Sequence, residues 1–487
     1  MAPRLRRRWA LLHRGCDQAV TDERRLHDLL QAIGEQASAV ELGRLPLPET
    51  YRAAVTRRED VEQTLRIPER DRNPASTLRI ERVATPSPAP DEVVVAVMAS
   101  AINFNTVWSS IFAPVPTFTF LDRLAKEGGW SARHGGDRHV VGSDACGVVL
   151  AVGPLVRRWS LGDHVVVHGN WVSGEDPATY QDAMRASSQR AWGFETNFGG
   201  LADLTVVKAS QLMRKPPHLS WAEAASSTLC NATAYRMLIS ANGAGLRLGD
   251  SVLIWGAAGG VGSFALQLAL AAGADPICVV SRPERVSLLR RLGVKHVIDR
   301  VAEGYQFLSK DGFTVDTAEV ERFGARVRDF TGDGADIVVE HPGRETMPAS
   351  IASCRHGGTV VTCAATTGAS ILIDAAEANR RSVRIVGSHF ANYWENDRAN
   401  RLLERGVVHP TLTASYSLDD VALATSVVRA GRHDGKIGID CLAPAGSGVI
   451  DAVARSVIGE QAITRFAAAA QPGTVTRANP RIIEVDS

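Results

Sequence analysis

Four glycines, Gly256, Gly259, Gly260 and Gly262, stand in the stretch "IWGAAGGVGSFALQLALAAGA", between an apolar run and a long alternation of Ala and Leu. Missing side chains at this spacing, with Val261 among them, let a backbone turn come close to a ligand. Free N–H groups and the positive end of the following helix then stabilise a pyrophosphate. Tight packing without a ligand is the competing reading, and the neighbouring elements argue against it. "SVLIWG" reads as a strand, "VGSFALQLALAAG" as a helix and "DPICVVS" as a second strand, at the spacing of a dinucleotide-binding unit. At the end of that second strand an NAD site usually carries Asp or Glu for the ribose 2′-hydroxyl, whereas this chain has Ser281 and Arg282. A hydroxyl and a guanidinium suit a 2′-phosphate, so the expected cofactor is NADPH; a solvated turn is the alternative role for Arg282.

The elements that must position this turn follow from periodicity. Between residues 226 and 404 strands and helices alternate, which predicts an α/β unit with a doubly wound parallel sheet, a Rossmann-type cofactor domain. Residues 76–225 carry Val-rich runs of period two broken by Pro and Asp, and 405–470 return to that texture, so both are expected in a β-rich, barrel-like catalytic domain. Residues 1–75 read as a partly helical arm, with helical periodicity in "DERRLHDLLQAIGEQ" and "LPLPETYRAAVTRREDVEQ". Residues 471–487 read as a flexible tail.

With 487 residues, 54 Lys and Arg almost cancel 53 Asp and Glu, which speaks against nucleic acid or an acidic membrane surface as partner. Seven scattered cysteines without a Cys-x-x-Cys pair favour reduced thiols and a cytoplasmic setting over a disulfide frame. No apolar run reaches the roughly 18 residues that a membrane helix needs.

A barrel-like region on both sides of a nucleotide-binding sheet resembles the medium-chain dehydrogenase/reductase superfamily, with its GroES-like catalytic domain. The zinc-dependent branch would show Gly-His-Glu where this chain reads "GSDACG" (142–147), and a four-cysteine lobe that the sequence does not carry, so no metal is expected. The strings "ASAINFNTVWSSIF" (100–113), "RAWGFETNFGGLADL" (190–204) and "RIVGSHFANYWENDRANRL" (384–402), with "EHPGRET" (340–346) and "HPTL" (409–412), resemble crotonyl-CoA carboxylase/reductases from about residue 45 to about 445. The resemblance implies hydride transfer from NADPH to the β-carbon of an enoyl-CoA, followed by attack of the enolate on CO2. The product would be an alkylmalonyl-CoA, and an unusual polyketide extender unit is within that class.

The resemblance also implies a CO2 pocket of Asn105, Phe194, Glu195 and His389, with Asn242 near the CoA adenine, and a homo-oligomer built as a tetramer of paired dimers. Asn105 would donate an amide N–H to a CO2 oxygen, Phe194 a backbone N–H and a dry ring, and His389 a ring N–H, while Glu195 would hold a water or orient the histidine. Read as a strand, "INFN" places Asn103 and Asn105 on opposite faces, so one of them could serve a turn instead. The chain departs from the family ahead of "GSHFAN", where Ala376, Glu377, Ala378 and Asn379 replace an Arg-Tyr-Leu-Trp string. The expected result is an altered acyl or CoA pocket: either roomier, or more weakly coupled to catalysis. Arg380, Arg381 and Arg384 could restore positive charge, or simply form a solvated helix face. The insertion 302–324 follows the family and is expected to form a CoA-side element. A non-carboxylating enoyl-thioester or quinone reductase, and a catalytically silent NADPH-binding protein, are the competing functions.

Overall fold

The computed structural model describes residues 2–309, 312, 314–444 and 451–470, so the expected tail 471–487 lies outside the described residues. Six parallel strands form the nucleotide-side sheet. Ser251–Trp255 is central, flanked by Asp275–Val280 and then His296–Asp299 on one side, and by Ala335–Glu340, Cys354–Thr362 and Arg384–Gly387 on the other. Alternation along the central strand feeds two cores: Val252 and Ile254 pack with Phe264 and Leu268, Leu253 and Trp255 with Phe323 and Val338. This is the doubly wound sheet expected from the sequence.

A mixed seven-stranded sheet forms the other half, centred on Glu92–Ala101, which is buried along its whole length. Cys146–Val152 and Leu204–Lys208 pair with it antiparallel, and Lys436–Asp440 returns from the far end of the chain to pair with Ala99–Ala101. The return also places Lys436 between the two halves, where it serves the site described below.

Two expectations are corrected. The helical period seen in "LPLPETYRAAVTRREDVEQ" gives way to a strand, Thr50–Arg57, that pairs with Arg79–Ala84 and Arg138–Val140; Tyr51, Ala53, Ala54 and Val55 are buried, so sheet pairing overrides a pattern that Ala and Arg made look helical. In the insertion 302–324 the aromatic side chains join the core under the sheet, while Val315, Thr317 and Arg322 border a cavity of about 930 Å³. Tyr305, Phe307 and Phe323 pack on Trp255, with the Trp255 and Phe323 rings stacked at 5.0 Å, and the helix Thr317–Thr331 covers the sheet as an ordinary crossover. "INFN" is not a strand, because the extended run ends at Ala101 and a helix, Phe104–Ile111, begins with Asn103 at its cap position.

Candidate active site

Asn103 and Asn105 part company at this helix. Asn103 turns inward: its Nδ2 donates to Asp144 Oδ2 at 2.7 Å, and its Oδ1 accepts from Lys436 Nζ at 2.6 Å. Lys436 also donates to Ile102 O at 2.9 Å and lies 3.3 Å from Asp144 Oδ2, while Leu229 N donates to Asp144 Oδ1 at 3.1 Å. Both charged side chains are buried, so each supplies the other's compensation. Asn103 is held there on both amide atoms. Asn105 lies in the first helical turn, with Trp108 one turn further on the same face. Its Nδ2 donates one hydrogen to Ser143 Oγ at 2.6 Å, Ser143 donates in turn to Trp192 O at 2.5 Å, and Asn105 Oδ1 is buried without a partner among the described residues. The second Nδ2 hydrogen is left for a ligand.

The "GFETNFGG" string is set by its glycines. Gly193 has φ +70°, and a Cβ there would collide with Gly142 O; Gly199 and Gly200 press equally closely on Val141 and Asp144. Only bare backbone lets this loop lie along "GSD", which brings Phe194 beside the Asn105 helix. The Phe194 ring lies 6.4 Å from Trp108 and 5.9 Å from Phe120. Thr196 and Asn197 turn away to structural bonds with His139 and Val140. One expected role is not seen: the Phe194 N–H donates to Ala191 O at 3.2 Å rather than standing free, because the turn closes on itself, and Glu195 Oε2 accepts from Ala191 N at 2.7 Å.

His389 follows the edge strand Arg384–Gly387, and Ser388 N donates to Thr362 O at 2.7 Å. Phe390 then takes φ +49°, and its ring fills the space a Cβ on Gly169 would need. His389 lines a cavity of about 620 Å³ with Trp108, Met184, Arg236, Asn242 and Cys363. The ring is open to this cleft, yet the protein crowding its other sides pushes its pKa below the usual histidine value. Glu195 pulls that pKa up and Arg236 pushes it down, so both lie within electrostatic reach. His389 is therefore neutral near pH 7, with one N–H to give. Among the described residues no hydrogen bond joins Glu195 to His389. Asn242 stands at the corner where this cavity meets a second one, of about 790 Å³, and its Nδ2 donates to Glu395 Oε1 at 3.1 Å.

The glycine turn fits a dinucleotide. Gly256 has φ +55°, and a Cβ there would lie 2.8 Å from the His341 ring, whose Nε2 donates to Trp255 O at 2.9 Å. On Gly262 a Cβ would lie 2.8 Å from Ala257 Cα and closer still to Gly256 O. Gly259 caps the helix Gly260–Ala271, and the Lys436 side chain passes beside Gly260. Ser281 and Arg282 follow the second strand, with Arg282 at the cap position of the helix Pro283–Arg291. Arg282 Nη2 pairs with Asp434 Oδ1 at 3.0 Å while its buried Nε has no partner among the described residues, so it is a held group rather than a solvated turn.

The altered stretch lies elsewhere. The helix Ala375–Arg381 borders a separate cavity of about 930 Å³ with Arg322 and Leu372, and shares no lining residue with the His389 cavity. The change at 376–379 therefore does not reshape the His389 cavity of its own chain. Arg380 and Arg381 both bond Glu377 one turn before them, which accounts for them without a ligand.

With this geometry in place, the comparisons are decisive. The crotonyl-CoA reductase of Streptomyces collinus is 49% identical over 432 residues, 88% of this chain and 96% of that protein. The chain belongs to the crotonyl-CoA carboxylase/reductase family. The crotonyl-CoA carboxylase/reductase of Cereibacter sphaeroides is 37% identical over 413 residues, 83% of this chain and 89% of that one. The solved structure of the 2-octenoyl-CoA carboxylase reductase CinF, in complex with NADP and 2-octenoyl-CoA, superposes with a TM-score of 0.86 at 45% identity, covering 89% of this chain and 98% of CinF. Two broader families also match: "Alcohol dehydrogenase GroES-like domain" over residues 89–217 and "Zinc-binding dehydrogenase" over residues 260–405. A zinc ion does not fit this family member. Asp144 stands at the third position of "GSD", and the Lys436 ammonium already occupies the cation's place beside it. No group of three or more His, Cys, Asp or Glu side chains suited to a metal occurs among the described residues.

Sequence reasoning missed Trp108 as a cleft wall, His341 as the partner of Gly256, and Lys436 as the counter-charge of Asp144. Trp108 and His341 lay inside quoted strings, so the signal was present but unassigned. Lys436 comes from a segment more than three hundred residues from Asn103 in sequence, and only the returning strand brings it in.

Proposed function

We propose that this protein catalyses the NADPH-dependent reductive carboxylation of an α,β-unsaturated acyl-CoA to an alkylmalonyl-CoA. The observation that carries the reading is the placement of His389 in a cavity walled by Trp108, Met184 and Arg236, with Phe194 packed on the Trp108 ring and Glu195 within electrostatic reach of the histidine. Gly256, Gly259, Gly260 and Gly262 would cradle the cofactor's pyrophosphate, with Ser281 and Arg282 at the 2′-phosphate; CinF, a near relative, was solved with NADP. When bound, NADPH supplies a hydride to the β-carbon of the substrate.

The α-carbon of the acyl group then carries the electron pair as a thioester enolate. Asn105 offers its second amide N–H to one CO2 oxygen, and His389 offers its ring N–H on the other side, so both donors stabilise the carboxylate as the C–C bond forms. A cationic histidine would protonate the enolate instead; crowding and the nearby Arg236 keep the ring neutral. Trp108, Phe194 and Phe120 keep water off that side. Asn242, at the junction of the two cavities, is the proposed contact for the CoA moiety.

The exposed Ile385 on the edge strand, with Ile371 and Ile373 near it in sequence, supports a homo-oligomer, which we take to be a tetramer of paired dimers. Cys146, Cys230, Cys278, Cys354, Cys363 and Cys441 are free thiols, in keeping with a cytoplasmic setting, and no described helix is long and apolar enough to cross a membrane. The test is incubation with NADPH, enoyl-CoAs of graded length and labelled bicarbonate, followed by mass analysis. Label in an alkylmalonyl-CoA supports the reading. Saturated acyl-CoA as the sole product overturns it in favour of a plain reductase, and unconsumed NADPH in favour of a silent binding protein.

A further inference from the structure

A carboxylate is buried on a segment that carries exposed side chains before and after it. Tyr180 is 86% exposed and the Arg185 side chain 65%, yet Asp182 between them is only 2% exposed. Its partner is Arg236, in the last turn of the helix Trp221–Leu238 and itself buried. The two meet as a fork: Arg236 Nη1 donates to Asp182 Oδ1 at 3.0 Å and Nη2 to Oδ2 at 2.8 Å. Arg236 Nη1 also donates to Glu395 Oε2 at 2.7 Å, and Asn392 Nδ2 donates to Asp182 Oδ1 at 3.1 Å. Glu395 is fully buried and accepts from Ser240 Oγ at 2.5 Å and from Asn392 N at 2.9 Å, the latter bond closing the capping box of the helix Tyr393–Glu404. Asn392 comes three residues after His389.

We propose that Arg236 is a positioning residue that latches the segment Thr179–Arg185 onto the helix following His389, and so keeps water out of the carboxylation cavity. Met184 and Arg185, both in the turn Ala183–Arg185 that Asp182 caps, wall the same cavity as His389. A carboxylate taken out of water is costly unless a cation and hydrogen bonds meet it, so the segment can lie down only where Arg236 receives Asp182. Released, Asp182 would return to solvent and the wall would open. An enolate exposed to water takes a proton, and the turnover ends in a saturated acyl-CoA. This inference rests on the reductive carboxylation proposed above. It adds that the choice between carbon dioxide and a proton is held by an ion network whose two carboxylates lie outside that cavity.

The test uses Asp182→Asn and Glu395→Gln in the full-length protein. In each variant Arg236 keeps one carboxylate partner, so both are expected to fold, with denaturation midpoints close to that of the unaltered protein. Enoyl-CoA, NADPH and labelled bicarbonate are supplied, and carboxylated and reduced products are quantified together with NADPH oxidation. The expected result for Asp182→Asn is a fall of about fivefold or more in the ratio of carboxylated to reduced product, with a much smaller fall in NADPH oxidation. Asp182→Glu, which restores the charge, should recover part of the ratio. An unchanged ratio in folded Asp182→Asn overturns the latch, as does failure of both neutral variants to fold, which would make the network a requirement of the fold alone. If the unaltered protein itself gives no carboxylated product, the functional reading fails instead, and the two failures are distinct.

Discussion

Replacing Lys436 with Met should cost about 3 kcal/mol of stability, at the lower end of what breaking a buried ion pair costs. The ammonium donates to Ile102 O at 2.9 Å and Asn103 Oδ1 at 2.6 Å, and lies 3.3 Å from Asp144 Oδ2, with the Lys436 side chain 3% exposed and that of Asp144 0%. Without it Asp144 keeps two donors, Asn103 Nδ2 at 2.7 Å and Leu229 N at 3.1 Å, which is why the low end applies. The penalty belongs to the uncompensated charge rather than to lost packing. Asp144→Asn in the Lys436→Met background should therefore recover about 2 kcal/mol, because a neutral amide is left in place of a lone carboxylate. Denaturant midpoints of the parent, both single variants and the double variant form the cycle that measures this. If the double variant is as unstable as the sum of the singles, the two groups do not compensate each other and this account of the network is wrong.

Gly262→Ala should weaken NADPH binding at least tenfold by fluorescence titration, since the added Cβ meets the backbone of Gly256 and Ala257; unchanged affinity would remove the pyrophosphate from this turn. Arg282→Ala should lower the preference for NADPH over NADH in kcat/KM by about tenfold, the worth of one charge-assisted bond partly shared with Asp434, and an unchanged preference would place the 2′-phosphate elsewhere. Burial pushes the histidine pKa from the ordinary value of 6.5 to about 3 at His134 and His168 and to about 4 at His139 and His433. With the folded values below the unfolded one, this stability is fully present above pH 6.5. It is lost as pH falls toward 4, by up to about 1.4 kcal/mol per pH unit for each histidine, because the unfolded chain binds the protons first. Denaturant midpoints should fall between pH 7 and pH 5, and a flat profile would contradict this.

The nucleotide half was legible because each element there announces itself locally. An apolar strand, bare glycines and an Ala/Leu helix agree on one fold, and the partners of Gly262 lie within six residues of it. Phe194, Glu195 and His389 could be named from resemblance alone, yet what brings them together was hidden. Gly193, Gly199 and Gly200 read as loop glycines, whereas their work is to lie against residues 141–144, a contact that sequence order does not display. "INFN" has the look of strand alternation, two polar residues among apolar ones, whereas Asn103 turns inward to Asp144 and Lys436 at the cap position of the helix Phe104–Ile111. Asp182 gave no signal at all, since a lone Asp in "ATYQDAMRAS" looks like surface until Arg236 is seen beneath it.

The most direct measurement is the ratio of alkylmalonyl-CoA to saturated acyl-CoA formed by His389→Asn and Glu195→Gln, at fixed carbon dioxide and saturating NADPH, set against the unaltered protein. The ratio is expected to fall by about tenfold in each while NADPH is still consumed. A ratio that stays put in both variants would contradict this, and the enolate would have to meet carbon dioxide somewhere else.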